Sequence, residues 1–189
     1  MSSRAILANL RDPLRLAQPR STKRCGHGWN AIPTQRQRVD NGRMRWLTVD
    51  LPDAIRLRER FVTPTDRFRH FAGSALELGW MDAVDASSGI FVIAQGLLMF
   101  EPDEVRHLFI SIADRFSGAE IVFDAVPRWF SHLTLLGLHQ TPYYRLPAMP
   151  WGVDRDELEP TLLRWHPCIS GVAFLDYKIP RGCHVCWRT

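Results

Sequence analysis

The sequence predicts an α/β fold, a mostly parallel sheet with helices on both faces. Residues 90–94 are apolar without a break, and four more apolar residues follow Gln95 and Gly96. A short run of this kind fits a strand buried on both faces, the habit of parallel sheets. Behind it, Pro102, Asp103 and Glu104 open a helix, since proline suits the first turn and acids favour the positive end of the helix dipole. Strand patterns at 44–49 and 119–124 alternate with helical stretches, the order expected of strands joined by helical crossovers.

Taken in order, residues 1–43 read as a basic, poorly ordered N-terminal segment, and residues 44–189 as the folded domain. Ile6, Leu7, Leu10, Leu14 and Leu16 could line one face of a short helix, but Pro13 interrupts it. Being rich in arginine and poor in acids, the segment also mimics an organelle transit peptide. The strand at 44–49 ends at Asp50. Leu51-Pro52-Asp53 then opens a helix carrying Ile55, Leu57, Arg58 and Phe61. A second strand is expected over 68–76, ending near Ser74, then a short helical or turn segment over 80–84 and the third strand over 89–94. The helix over 103–116 places Val105, Leu108, Phe109 and Ile112 on one face, and Ser117-Gly118 stops it. The fourth strand ends in an acid, Asp124. A helix over 128–138, a proline- and aromatic-rich loop or lid over 139–152, a helix over 154–165 bent or stopped near Pro160, and a late strand over 172–179 complete the order.

With 189 residues the chain fits one domain of ordinary size, and a hydrophobic fraction of 46% supports a real core. The longest nearly apolar stretch, 90–100, is far short of the ~20 residues a membrane-spanning helix needs, so no membrane partner is expected. The first twenty residues lack the apolar region of a secretory signal. The four cysteines (Cys25, Cys168, Cys183 and Cys186) form no dense disulfide framework, which points to a reducing cytoplasm. The net charge of +4 is unevenly spread. Residues 1–45 hold ten Lys or Arg and two Asp, a net of +8, and the remainder holds fourteen and eighteen acids, a net of −4. A basic tail can contact nucleic acid or an anionic membrane, or simply stay a solvated, disordered extension. The mildly acidic folded part argues against nucleic acid as the partner. Oligomeric state is left open.

Three strands end in a polar group: Asp50, Ser74 and Gln95. In open α/β sheets ligands lie beyond the carboxyl ends of the strands, and an acid ending the second strand can accept hydrogen bonds from both ribose hydroxyls. A small polar residue one strand further on can bond the adenine edge. A polar side chain after the next strand can face the reactive end of a cofactor.

Four blocks in order then resemble a known family. Trp46, Asp50, Leu51, Pro52 and Arg58 stand as in "W-x-x-x-D-L-P-x-x-x-x-x-R". Gly73-Ser74-Ala75-Leu76-Glu77 with Trp80 and Asp82 resembles "G-S-A-L-D-x-x-W-x-D". Residues 94–100 resemble "A-E-G-L-L-M-Y", and Phe123-Asp124-Ala125-Val126-Pro127 matches "F-D-x-x-P". These are signatures of the leucine carboxyl methyltransferase-like family of S-adenosylmethionine-dependent O-methyltransferases, which includes polyketide O-methyltransferases. The resemblance runs from about residue 43 to residue 180. It implies a Rossmann-like class I methyltransferase sheet with helices on both faces, here incomplete at both ends, and 44–189 as a partial methyltransferase domain. It implies S-adenosylmethionine as cofactor, a small-molecule acceptor with a hydroxyl or carboxyl oxygen, and no metal. It places Asp50 on the ribose, Ser74 and Ala75 near the adenine, and Gln95 and Gly96 near the methionine part.

The chain also departs from the family. The family's first strand and glycine-rich turn correspond to residues 21–29. Gly26-x-Gly28 is present there, but the polar, basic residues before it predict no strand. Glu77, Gln95 and Phe100 replace the family's Asp, Glu and Tyr, so Gln95 keeps a hydrogen-bonding group and loses the charge. The closing strands of the sheet are not legible after residue 180. These departures leave a non-catalytic, truncated remnant as an alternative to an active enzyme. A nucleic-acid-associated protein using the basic segment is a third reading. Cys183-x-x-Cys186 with His184 makes at most half of a zinc or redox site. His132, His139 and His166 are candidate general bases or plain surface histidines. Tyr143, Tyr144, Trp151 and Trp165 either wall an apolar pocket or pack the lid onto the body.

Overall fold

Strand β3 (Arg45–Asp50) buries Trp46, Leu47, Thr48 and Val49 in succession, so both of its faces are covered, as an interior parallel strand requires. The computed structural model describes residues 40–87 and 89–175, with the backbone of two further strands at 4–9 and 23–27. A seven-stranded sheet runs in the order β4 (Phe68–Ala72), β3, β2 (Lys23–His27), β5 (Phe91–Ala94), β6 (Glu120–Ala125), β1 (Arg4–Asn9), β9 (Gly171–Phe174). The first five strands are mutually parallel. β1 runs antiparallel to both of its neighbours. A small hairpin, β7 (His139–Thr141) and β8 (Tyr144–Arg145), stands apart within the segment expected to be a loop or lid.

Four α-helices accompany the sheet among the described residues: α1 (Pro52–Glu59), α2 (Pro102–Arg115), α3 (Arg128–Leu135) and α4 (Arg155–Trp165). Both α1 and α2 begin with proline and carry acids in the first turn, as the sequence predicts. One face of the sheet supplies Leu47, Val49, Val92, Ala94, Ile121 and Phe123 to the main core. There they meet Val105, Leu108, Phe109 and Ile112 of α2 and Leu158 and Leu162 of α4. On the opposite face Met44, Trp46 and Phe68 pack with Val62 and Ile93. Glu59 of α1 bonds His70 of β4 there, with Oε1 and Nδ1 3.0 Å apart.

The structure changes several expectations. A strand, β2, does lead into and include Gly26, in the middle of the sheet and paired with β3 on one side and β5 on the other. Its residues show no apolar pattern; two parallel neighbours supply its backbone partners, and strand preference is set largely by such context. Sheet pairing therefore crosses position 43, since β1 and β2 both join strands from beyond it. Beyond β6 the sheet is extended by β1, from the N-terminal segment, and by β9, the expected late strand. β4 ends at Ala72 rather than near Ser74: Gly73 N–H makes the last ladder bond, to the carbonyl of Asp50 (2.9 Å), and Ser74 then caps a 3-10 turn. The late strand is confined to Gly171–Phe174, and its expected continuation past 175 lies outside the described residues. Helix α4 runs on through Pro160. The proline removes one backbone donor, while fully buried Leu158 and Leu162 on either side hold the helix to the core.

Candidate functional site

Thr48 pairs with Gly26, Gly26 with Ile93, and Ile93 with Val122. Paired residues of a sheet share a face, and side chains alternate with a period of two. Two residues further along β3 and β6 the row reaches Asp50 and Asp124 on one face at the carboxyl edge, and Gln95 stands at the same edge. Gln95 is the residue directly after β5. With strands about 4.8 Å apart, Asp50 lies about 10 Å from Gln95 and about 14 Å from Asp124 across the row. β3 and β4 are neighbours, and β2 separates β3 from β5, so the three predicted strand ends share one edge without all being adjacent.

Asp50 is half-buried. Its Oδ1 accepts from Leu51 N–H at 2.9 Å, and its carbonyl accepts from Gly73 N–H. The guanidinium of Arg58 on α1 is close enough to feel the Asp50 charge. Burial pulls the Arg58 pKa below its usual value, and the negative charge of Asp50 opposes that shift. Ser74 caps a short 3-10 turn (Ala75–Glu77), its Oγ accepting from Leu76 N–H at 3.2 Å. Ala75 is buried, and its carbonyl accepts the indole N–H of Trp80 at 2.8 Å. The Gly73 bond thus ties Ser74 and Ala75 to the end of β3. Gln95 and Gly96 are exposed.

Asp124 was legible as a strand-end acid and as part of the Phe123–Pro127 block, with no role assigned to it. The structure places its half-buried carboxylate against the loop after β5, where Oδ1 accepts from Gly96 N–H at 2.7 Å. Burial pushes the Asp124 carboxyl up from the usual carboxylate range; the N–H groups of Gly96 and of Asp124 itself pull the other way. Gly96 has φ +67°, a left-handed backbone that glycine adopts at least cost. Leu97 and Leu98 are buried directly behind it.

The other candidates separate cleanly. Trp151 is buried, and Trp165 packs 6.0 Å from it and 5.6 Å from Phe109, so both belong to the core. Tyr143 and Tyr144 are exposed on the hairpin. His166 Nε2 lies 3.0 Å from Asp114 Oδ1, and its Nδ1 accepts from Cys168 N–H at 3.2 Å. His132 and His139 are exposed. Gly28, Cys183, His184 and Cys186 lie outside the described residues. A cleft of about 80 Å³ opens at the other edge of the sheet, lined among others by Arg45, Arg67, Arg69 and Asp85. Arg45 there pairs with Asp85 (3.7 Å) and Arg67 with Asp40 (3.0 Å), so that cleft is separate from the predicted site.

No family model matches the chain. Over 88 residues it is 34% identical to the tetracenomycin polyketide synthesis O-methyltransferase TcmP of Streptomyces glaucescens, an alignment covering 46% of this chain and 32% of that protein. The match thus spans about a third of that curated relative's length. Among solved structures, a candidate methyltransferase from Thermobifida fusca superposes with a TM-score of 0.56 at 11% identity, over 76% of this chain and 58% of that one. The structure of LepI in complex with S-adenosylmethionine superposes at 0.53 and 15% identity, over 81% of this chain and 39% of that one. A pericyclic reaction enzyme also matches at 0.53 and 15%, over 80% and 39%. The chain has the methyltransferase fold, a sheet with helices on both faces, and is related in sequence to a polyketide O-methyltransferase.

Proposed function

We propose that this chain is an S-adenosylmethionine-dependent O-methyltransferase domain, acting on a hydroxyl or carboxyl oxygen of a small molecule of polyketide or similar secondary metabolism. The observation that carries the reading is that Asp50, Gln95 and Asp124 share the carboxyl edge, with Ser74 joined to it through Gly73. The sequence likeness to TcmP supports the choice of oxygen and of substrate class. The domain comprises residues 44–189, with β1 and β2 of the preceding segment added to its sheet.

The residues fit the cofactor. Asp50 offers a carboxylate with one oxygen engaged by its own helix start, and a carboxylate can accept from two ribose hydroxyls at once. Ser74 and the buried Ala75 form a small, close turn beside it, suited to an adenine edge. Gln95 and Gly96 border the far end of the row. When bound, S-adenosylmethionine supplies an electrophilic methyl group on a sulfonium. The protein's part is to hold acceptor oxygen and methyl group in line and to keep water out.

Calorimetric titration with S-adenosylmethionine tests the reading. The intact chain should bind, and Asp50→Ala should weaken binding by at least about tenfold, because hydrogen bonds to a charged acceptor contribute ~1.5–3 kcal/mol and 1.4 kcal/mol is a factor of ten. Absence of binding at millimolar cofactor would leave a non-catalytic domain that keeps the sheet. Binding untouched by Asp50→Ala would put the cofactor elsewhere.

A further inference from the structure

Helix α3 is turned inside out. Its inner face carries Phe130 and two hydroxyl residues, Ser131 and Thr134, all buried. Ser131 Oγ donates to the Met149 carbonyl at 2.6 Å, while Thr134 Oγ1 donates to the Ser131 carbonyl at 2.7 Å and accepts from Met149 N–H at 3.0 Å. Trp129, Leu133, Leu135 and Leu136 are exposed. Positions 129, 133 and 136 follow the i, i+4, i+7 spacing of one helical stripe, about 10 Å long. An ordinary surface helix has the reverse order, with apolar residues inward and polar ones outward. The β7–β8 hairpin is rooted at the end of this stripe, where Leu138 N–H bonds the Leu133 carbonyl at 3.1 Å and Leu146 N–H bonds the Leu138 carbonyl at 2.9 Å. It adds Tyr143 and Tyr144. Six large side chains are thus exposed in one short segment, from Leu133 at 40% to Tyr143 at 98%. Monomers rarely leave a contiguous apolar patch of more than a few hundred Å² open to water.

We propose that this face is the contact between two copies of the chain, paired about a two-fold axis with their α3 helices antiparallel. Trp129 of one protomer then covers Leu136 of its partner, and Leu133 meets its own copy near the axis, as a self-complementary interface requires. The composition fits a protein surface. Residues 125–153 contain no Asp, Glu or Lys, while Trp, Tyr, Leu and Arg are all present. Interface cores are depleted in those same charges and enriched in aromatic residues and arginine. The charge fits a like partner. Of the two arginines, Arg128 pairs with Glu157 of α4, and Arg145 lies against Gly137 at the root of the hairpin. No Lys, Arg, Asp or Glu stands between Trp129 and Leu136, so a second copy meets no like charge along the stripe. A stripe aimed at an anionic lipid surface would instead be flanked by many Lys or Arg. The area fits as well: at ~150–250 Å² for each large side chain, the exposed fractions leave roughly 800 Å² open, about what each partner of a stable dimer buries. The hydroxyl bonds behind the stripe hold it in place beforehand, which lowers the ordering cost of association. The pairing does not depend on the cofactor reading.

Sedimentation velocity over a range of concentrations tests the pairing. The intact chain should be dimeric at about 100 μM, since interfaces of this size hold at micromolar concentration or below. Trp129→Ser and, separately, Leu136→Ser should each weaken the dimer by at least about tenfold, because a central aromatic and the side chain it covers carry much of such an interface. Both side chains are exposed in the single chain, so the far-UV spectrum should not change. If Trp129→Ser does not fold, Leu136→Ser decides. Phe61→Ser removes a comparably exposed side chain from the loop after α1 and should leave the dimer as it was. A monomeric intact chain overturns the proposal, as does a dimer that either folded variant leaves intact. Equal weakening by Phe61→Ser, or association that climbs past the dimer as concentration rises, overturns it too. A monomer that sediments with phosphatidylglycerol vesicles would assign the face to a lipid surface instead.

Discussion

Gly152 lies against α3 with no room for a side chain: a Cβ there would stand 2.5 Å from the Cβ of Ser131 and 3.0 Å from the Cα of Arg128. The contact is part of a seam. Gly152 bridges Val126 just beyond β6, Val153 N–H bonds the Val126 carbonyl at 3.0 Å, and Ser131 Oγ donates to the Met149 carbonyl at 2.6 Å. The seam holds the segment before α4 onto the helix that follows Asp124. Gly152→Ala should destabilise by about 1–3 kcal/mol, the usual cost of overpacking a close contact. Backbone on the far side cannot yield as a flexible side chain would. Urea denaturation of the two proteins measures the difference.

Gly96 is constrained in the opposite way. Nothing lies within 4 Å of where its Cβ would be, but its φ is +67°. Gly96→Val should cost about 1–2 kcal/mol through backbone strain alone, whereas Gly96→Asn should cost less, since asparagine tolerates the left-handed region. Thermal unfolding of the two variants gives the order. Equal stability of both with the intact chain would mean that the turn relaxes to another conformation.

Phe109 sits at the centre of the core, 1% exposed, edge-on to Phe123 at 5.2 Å and tilted against Trp165 at 5.6 Å. Phe109→Ala removes these contacts and leaves a cavity, for which about 3–5 kcal/mol is the common loss. The denaturation midpoint should fall accordingly, and the far-UV spectrum at 25 °C shows whether the variant still folds.

Stability should also respond to pH through Asp124. Burial raises its carboxyl above the ordinary range in the folded state, so the folded protein keeps a proton that the unfolded chain releases first. The stabilisation is fully present below the unfolded pKa and is lost as pH rises through the folded one. Relative to Asp124→Asn, which has no proton to lose, the intact chain should therefore lose stability with rising pH across the window just above the usual aspartate pKa. Other carboxylates largely cancel in the comparison. A difference in unfolding free energy that stays constant through that window would show that Asp124 titrates normally.

Much of this molecule follows from local pattern. The period of Val105, Leu108, Phe109 and Ile112 specified α2 and its buried face, and the unbroken apolar run specified β5, because burial on one face or on two leaves a mark every few residues. The polar strand ends Asp50 and Gln95 were likewise visible, and strand direction alone put them on one edge of the sheet, whereas Ser74, read as a strand end, caps a turn just beyond β4. What only the tertiary structure decided depends on partners distant in sequence. β2 has no apolar pattern, and its backbone is paired because β3 and β5 flank it. The aromatic residues near the lid divided into buried Trp151 and exposed Tyr143 according to which of them could reach Phe123 and Trp165. Asp124 became a candidate site residue only when the fold brought its carboxylate, near the end of β6, to Gly96 in the loop after β5, a contact that periodicity cannot encode because neither residue's immediate neighbours depend on it.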